Sequence, residues 1–164
     1  MPIYKEIMKN FIFAYILFAL LLAVKTASFK LNKRDITFGP CDTADPVDLI
    51  NVKLGTDPPE SKKNESFDVF GKTKYDISYG SSFLLIAYYD KDGGELDTPY
   101  VQAINNSTKA GTPFNISASD VPTPELSDSY LIKVVISDPN VALYPFFACA
   151  LAHVGGSSEK SKLF

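Results

Sequence analysis

From residue 40 onward the apolar positions of the chain fall in short runs, several alternating with polar neighbours, and clusters of Asp, Pro and Gly separate them. Such runs read as β-strands. Residues 47–54 come close to alternation and stop at Asp57-Pro58-Pro59. Residues 66–70 alternate and end at Gly71, and residues 75–79 lead into Gly80. The most apolar run is 82–89, closed by Asp90-Lys91-Asp92-Gly93-Gly94 as its turn; 100–104, 114–117, 130–137 and 146–154 complete the set. Within 130–137 the lone Lys133 marks the solvent side, so Ile132, Val134 and Ile136 are expected to face inward. No stretch of this part of the chain carries a sustained helical apolar period. Roughly eight strands at spacings near 10 residues, with no helical crossovers, predict an all-β, immunoglobulin-like antiparallel β-sandwich, a closed barrel being the alternative.

The N-terminal pattern is different. Lys5 and Lys9 precede an unbroken apolar run of 14 residues over 11–24, followed by the small residues Thr26, Ala27 and Ser28. A basic start, an apolar centre and a small-residue exit describe a secretory signal peptide. The run is shorter than the roughly 20 residues that cross a bilayer. Residues 1–28 are therefore expected to be a signal peptide cleaved near Ala27 or Ser28. Residues 29–34 end in Lys33-Arg34, which resembles the processing site of kexin-type proteases. They read as a short propeptide, making Asp35 the first mature residue. The domain proper is expected over 35–154, with a flexible tail over 155–164. The protein is then secreted and soluble, or delivered to a vacuole- or lysosome-like lumen.

Charge narrows the partners. Residues 1–34 hold six basic groups and one acidic group, and residues 35–164 hold 10 basic and 18 acidic residues, with no arginine. A net-negative chain without arginine repels a polyanion and lacks the bidentate phosphate contact. Nucleic-acid binding is excluded on this ground, and strong attraction to anionic membranes is not expected. Asn64, Asn105, Asn106 and Asn115 each open an Asn-x-Ser/Thr sequence and are candidate glycosylation sites. Cys41 and Cys149 would meet an oxidising lumen, where a disulfide is the default for a lone pair; two buried free thiols are the alternative. Such a bridge would close a loop worth roughly 4–5 kcal/mol in the entropic account.

Catalytic chemistry is poorly represented. His153 is the only histidine, and no Gly-x-Ser-x-Gly elbow accompanies it. Asp57, Asp90, Asp92, Asp120, Asp128 and Asp138 fall at turns, where Asp is favoured for backbone reasons. The Asp90–Glu95 oxygens could hold calcium weakly, but a hairpin turn explains them better. No metal or cofactor site is expected.

Four segments together resemble a known family: 47–54, Asp57-Pro58-Pro59-Glu60, Phe67-Asp68-Val69-Phe70-Gly71 and Ile77-Ser78-Tyr79-Gly80. Their order is similar to that of the ML lipid-recognition domain, a family that includes fungal phosphatidylglycerol/phosphatidylinositol transfer proteins and the Niemann–Pick type C sterol carrier. Cys41, Tyr130 and Cys149 stand where that family has an early Cys, a late strand start and a Cys in the last strand. Ser61-Lys62-Lys63 replaces the usual Pro-Gly-Lys, the middle cysteine pair is absent, and 126–129 lack the family's glycine turn. The resemblance implies sheets that splay around a lipid cavity. By alternation its lining would be Phe67, Val69, Phe83, Leu85, Phe114, Ile116, Ile132, Val134, Ile136 and Phe146. It also implies a carrier of one sterol or phospholipid between membranes, monomeric, in transient membrane contact and without catalytic residues. The competing expectation is a secreted interaction module with a filled core that binds a cell-surface or host protein. A hydrolase using paired carboxylates comes third.

Overall fold

Apolar runs bounded by turn residues become nine strands in the computed structural model, which describes residues 35–43, 47–140 and 146–155. The expected signal peptide, the 29–34 propeptide with Lys33-Arg34, and the tail beyond Gly155 lie outside the described residues. Among the described residues there is no helix long and apolar enough to cross a membrane. The strands are β1 (Phe38–Gly39), β2 (Asp48–Leu49), β3 (Asn51–Leu54), β4 (Asn64–Gly71), β5 (Phe83–Asp90), β6 (Tyr100–Ala103), β7 (Phe114–Pro122), β8 (Ser129–Ser137) and β9 (Ala148–Gly155).

They form two sheets. The larger runs β1-β9-β8-β5-β6 with β2 also on β9, and the smaller runs β3-β4-β7. Every pair is antiparallel except the short β2–β9 pair, which is parallel. The fold is thus the all-β, immunoglobulin-like antiparallel sandwich that the spacing of strands predicts. A barrel is ruled out, since each sheet ends in edge strands: β1 and β6 in one, β3 and β7 in the other.

Two runs resolve differently from their expectation. Residues 47–54 are not one strand. Asp48–Leu49 pairs with β9 and Asn51–Leu54 pairs with β4, so the chain passes from one sheet to the other at Ile50, which is 1% exposed. A residue with apolar neighbours on both sheets is a natural crossing point, because its side chain is buried whichever sheet claims the backbone. Residues 75–79 are not a strand beyond a single bridge from Ile77 to Thr108. Asp76 accepts from the Lys109 ammonium at 2.7 Å and the Ala110 N–H at 2.8 Å, and Gly80 turns at a φ of 78°.

The inward faces meet in a contiguous apolar core. Phe67 and Val69 on β4, Phe114 on β7, and Ile132, Val134 and Ile136 on β8 belong to it, and Ile116 packs against it. Three of the ten expected inward residues do not. On β5 the pairs Leu84↔Ile136, Ile86↔Val134 and Tyr88↔Ile132 put Leu84, Ile86 and Tyr88 inside. Phe83 and Leu85 therefore stand on the outer face, opposite Ser137 and Val135. The run 82–89 is apolar in both parities, so alternation within it carries no information; only pairing with β8, whose outer side Lys133 marks, fixes its faces. Phe146 is also outside, its ring centroid 4.7 Å from the Lys133 ammonium, while Phe147 takes the core position at 3% exposure. Cys41 and Cys149 are bridged with Cα atoms 6.0 Å apart, tying the segment after β1 to β9.

Candidate functional site

A sandwich with two pairs of edge strands can open at two sides, and clefts are found at both. The β6/β7 cleft has a volume of about 200 Å³. Its floor is Ile77, Ile104, Phe114 and Ile116, and its rim carries Gln102, Asn105, Asn106 and Asn115. Phe114 and Ile116 thus reach a polar-rimmed cleft as well as the core. All four candidate glycosylation asparagines are exposed, three of them on this rim and Asn64 at the start of β4.

The β1/β3 cleft is larger, about 310 Å³, and is lined by Asp35, Ile36, Phe38, Val52, Lys53, Leu54 and Asp57. Leu54 belongs to the core, and Ile36, Phe38 and Val52 pack against it, so the wall of this cleft is continuous with the inner faces of both sheets. Segment 35–39 comes to this edge because Phe38 and Gly39 pair with Ala152 and Leu151 of β9. Asp57 anchors it from the other sheet's side: its Oδ2 accepts the Ile36 N–H at 2.8 Å. Its Oδ1 is buried and has no hydrogen-bond partner among the described residues.

The buried residues also include polar groups on Tyr88, Tyr130 and Glu65. Burial pushes the Tyr130 hydroxyl up to about 12, with the neighbouring Tyr88 phenol and the Asp57 carboxylate adding to the effect. Tyr88 is also raised, by burial first, although its contact with Thr123 Oγ1 at 3.3 Å pulls the other way. Both phenols are therefore neutral at ordinary pH and act as dipoles rather than charges. Glu65 is buried beside them, its Oε1 accepting the Thr56 N–H at 2.9 Å and the Ser66 N–H at 2.8 Å.

The remaining candidates have structural occupations. Asp90 Oδ1 accepts the N–H groups of Asp92 and Gly94, both at 2.8 Å, which folds the 90–94 segment into a tight turn. Asp138, buried, accepts the Ser81 and Ser82 hydroxyls at 2.6 and 2.8 Å on Oδ2 and the Asn140 N–H at 2.9 Å on Oδ1. Those serine protons point at a carboxylate with no imidazole between. His153 is exposed on the outer side of β9. Among the described residues no group of three or more His, Cys, Asp or Glu is arranged to hold a metal ion.

Sequence reasoning missed Ile36, Phe38, Val52, Leu54 and Asp57 as cleft residues. A signal for the first two was present, since Asp35-Ile36-Thr37-Phe38 alternates. Nothing local shows that this short stretch and Val52 would share one wall, because they meet only through two different sheets.

No protein-family model matches the chain, and no curated protein matches it by sequence. Among solved structures it is similar to chicken MD-1 complexed with lipid IVa, at 11% identity and a TM-score of 0.48, over 74% of this chain and 90% of that one. It is also similar to part of Bacteroides uniformis β-glucuronidase, at 15% identity and a TM-score of 0.40, over 65% of this chain and 13% of that one.

Proposed function

We propose that this protein is a secreted, non-enzymatic lipid carrier that binds one sterol or phospholipid and transfers it between membranes, the apolar part of the ligand entering at the β1/β3 cleft. The observation that carries this reading is the continuity of that cleft with the core. Its volume of about 310 Å³ reaches the range of ligand-binding pockets, whereas the β6/β7 cleft at about 200 Å³ falls below it. An acyl chain entering there leaves water for a surface of Ile36, Phe38, Val52 and Leu54, at about 0.8 kcal/mol gross per CH₂. Ordering and association costs reduce that gain. Asp35, Lys53 and Asp57 are the cleft's charged residues, so the ligand's polar head stays beside them rather than entering the core. Transfer of this kind needs no catalytic group and no cofactor, and a monomer in transient contact with a membrane suffices for it.

The test combines mass spectrometry of organic extracts from the secreted protein with transfer of a fluorescent sterol and a fluorescent phospholipid between vesicles. The wild type is expected to yield bound lipid and to move one of the two classes. Val52→Trp, which fills the cleft from its wall, is expected to slow transfer at least tenfold while the protein still melts cooperatively. A second reading rests on a specific observation: Phe67, Val69, Ile132 and Val134 have no exposure, which is the packing of a filled core. If the wild type carries no lipid and moves neither class, the carrier reading fails and a secreted interaction module takes its place.

A further inference from the structure

The cleft holds a carboxylate oxygen with an unmet need. Asp57 Oδ2 is taken by the Ile36 N–H at 2.8 Å, while Asp57 Oδ1 is buried and unpartnered among the described residues. A buried acceptor without a donor is uncommon and costs stability, more so when it is charged. Exposed Lys53, the cationic side chain on the cleft wall, leaves it unpaired. The residue immediately before Ile36 is Asp35, also on the cleft wall, and Asp35 directly follows Lys33-Arg34.

We infer that cleavage by a dibasic-specific endoprotease between Arg34 and Asp35 completes this site: the new α-ammonium of Asp35 becomes the missing donor to Asp57 Oδ1. In the cleavage, water adds across the peptide bond, leaving a carboxylate on Arg34 and an amine on Asp35 that takes up a proton. Before cleavage the Asp35 nitrogen is an uncharged amide. Afterwards it carries three donors and a full charge. The Asp35 nitrogen is three covalent bonds, about 4.3 Å of chain, before the Ile36 nitrogen already bonded to this carboxylate. The two nitrogens then clamp the two oxygens, and β1 is fixed to the β3 side of the cleft by an ion pair that only the processed chain possesses. The inference goes beyond the lipid reading and shares with it only passage through a secretory pathway.

The sign of the pH dependence follows. The ordinary α-amine value is about 7.7–8.0, and a carboxylate partner raises it. The stabilisation is therefore complete below the ordinary value and is lost as pH rises through the raised one. The other ionisable groups facing the pair are the Asp35 side chain, Lys53 on β3 and Tyr130 on β8. Tyr130, pushed up to about 12, stays neutral across that window.

The experiment compares the secreted wild type with a processing-blocked form, Lys33→Gln with Arg34→Gln, by N-terminal sequencing and by melting from pH 6 to 10. The wild type is expected to begin Asp-Ile-Thr-Phe and to melt about 4 °C or more above the blocked form at pH 6. That gap should close towards pH 10 and vanish in Asp57→Asn. Since Asp57→Asn also weakens the Ile36 contact, the α-amine is titrated independently by its acetylation rate against pH, which should give a value above the ordinary range. A wild type secreted with 29–34 attached overturns the inference. So do equal melting of the two forms at pH 6, a gap that survives in Asp57→Asn, and an α-amine that titrates at its ordinary value.

Discussion

Val134 and Asp138 show how single residues are decided by their surroundings. Val134 is 0% exposed and sits between Ile86 and Ala150 in the register of the larger sheet. Because Val134 is fully buried in the core, Val134→Trp is expected to overpack and destabilise by about 1–3 kcal/mol or more, as read from urea unfolding. A roomy lipid cavity between the sheets would instead accept the ring without loss. Asp138 is ranked by opposing effects. Burial pushes its carboxyl up, but hydrogen bonds from the Ser81 hydroxyl, the Asn140 backbone and the Ser82 hydroxyl pull it down and win, leaving it below the ordinary carboxylate range. Its contribution is thus full above the unfolded-state value of about 3.9 and is lost as pH falls through the lower, folded one. Asp138→Asn is expected to cost about 1–3 kcal/mol at neutral pH and to lessen the loss of stability on acidification, both visible in urea midpoints taken from pH 2 to 7.

At the scale of elements, β5 is the sharpest test of the sheet register. Its two faces are both apolar, yet Leu84 lies in the core and Leu85 on the outer face. Leu84→Ala is expected to cost about 2–5 kcal/mol, the range for a buried leucine, and Leu85→Ala clearly less. Equal losses in denaturant midpoint would mean that the β5–β8 register is wrong. The bridge between Cys41 and Cys149 joins the segment after β1 to β9 across a separation of 108 residues. Cys149→Ser is expected to lower stability by about 2–5 kcal/mol, and non-reducing peptide mapping of the wild type should recover the two cysteines in one linked pair.

Over the whole molecule, the described strands leave two sides of the sandwich with different chemistry: an apolar cleft at β1/β3 and an amide-rimmed one at β6/β7. Three of the four candidate glycosylation asparagines stand on the rim of the second cleft, and the fourth, Asn64, is exposed at the start of β4. Glycopeptide mapping is expected to find glycan on Asn115 or on one of Asn105 and Asn106, and on the β1/β3 rim none, since no candidate asparagine lies there. Glycan would then cover the smaller cleft and leave the larger one open to a ligand.

The sequence by itself determined the strand-rich class, the punctuation of the strands and the inward face of β8, where one lysine breaks an apolar run and makes alternation readable. It also carried the cysteine pair, which the structure bridges. Only the tertiary structure decided the faces of β5, the outer position of Phe146, the change of sheet at Ile50 and the wall shared by Ile36, Phe38 and Val52. The reason is physical. Alternation is a local signal that speaks only where one face is polar, whereas register, sheet membership and clefts arise from pairings between residues far apart in the chain, and those exist only once both sheets have formed.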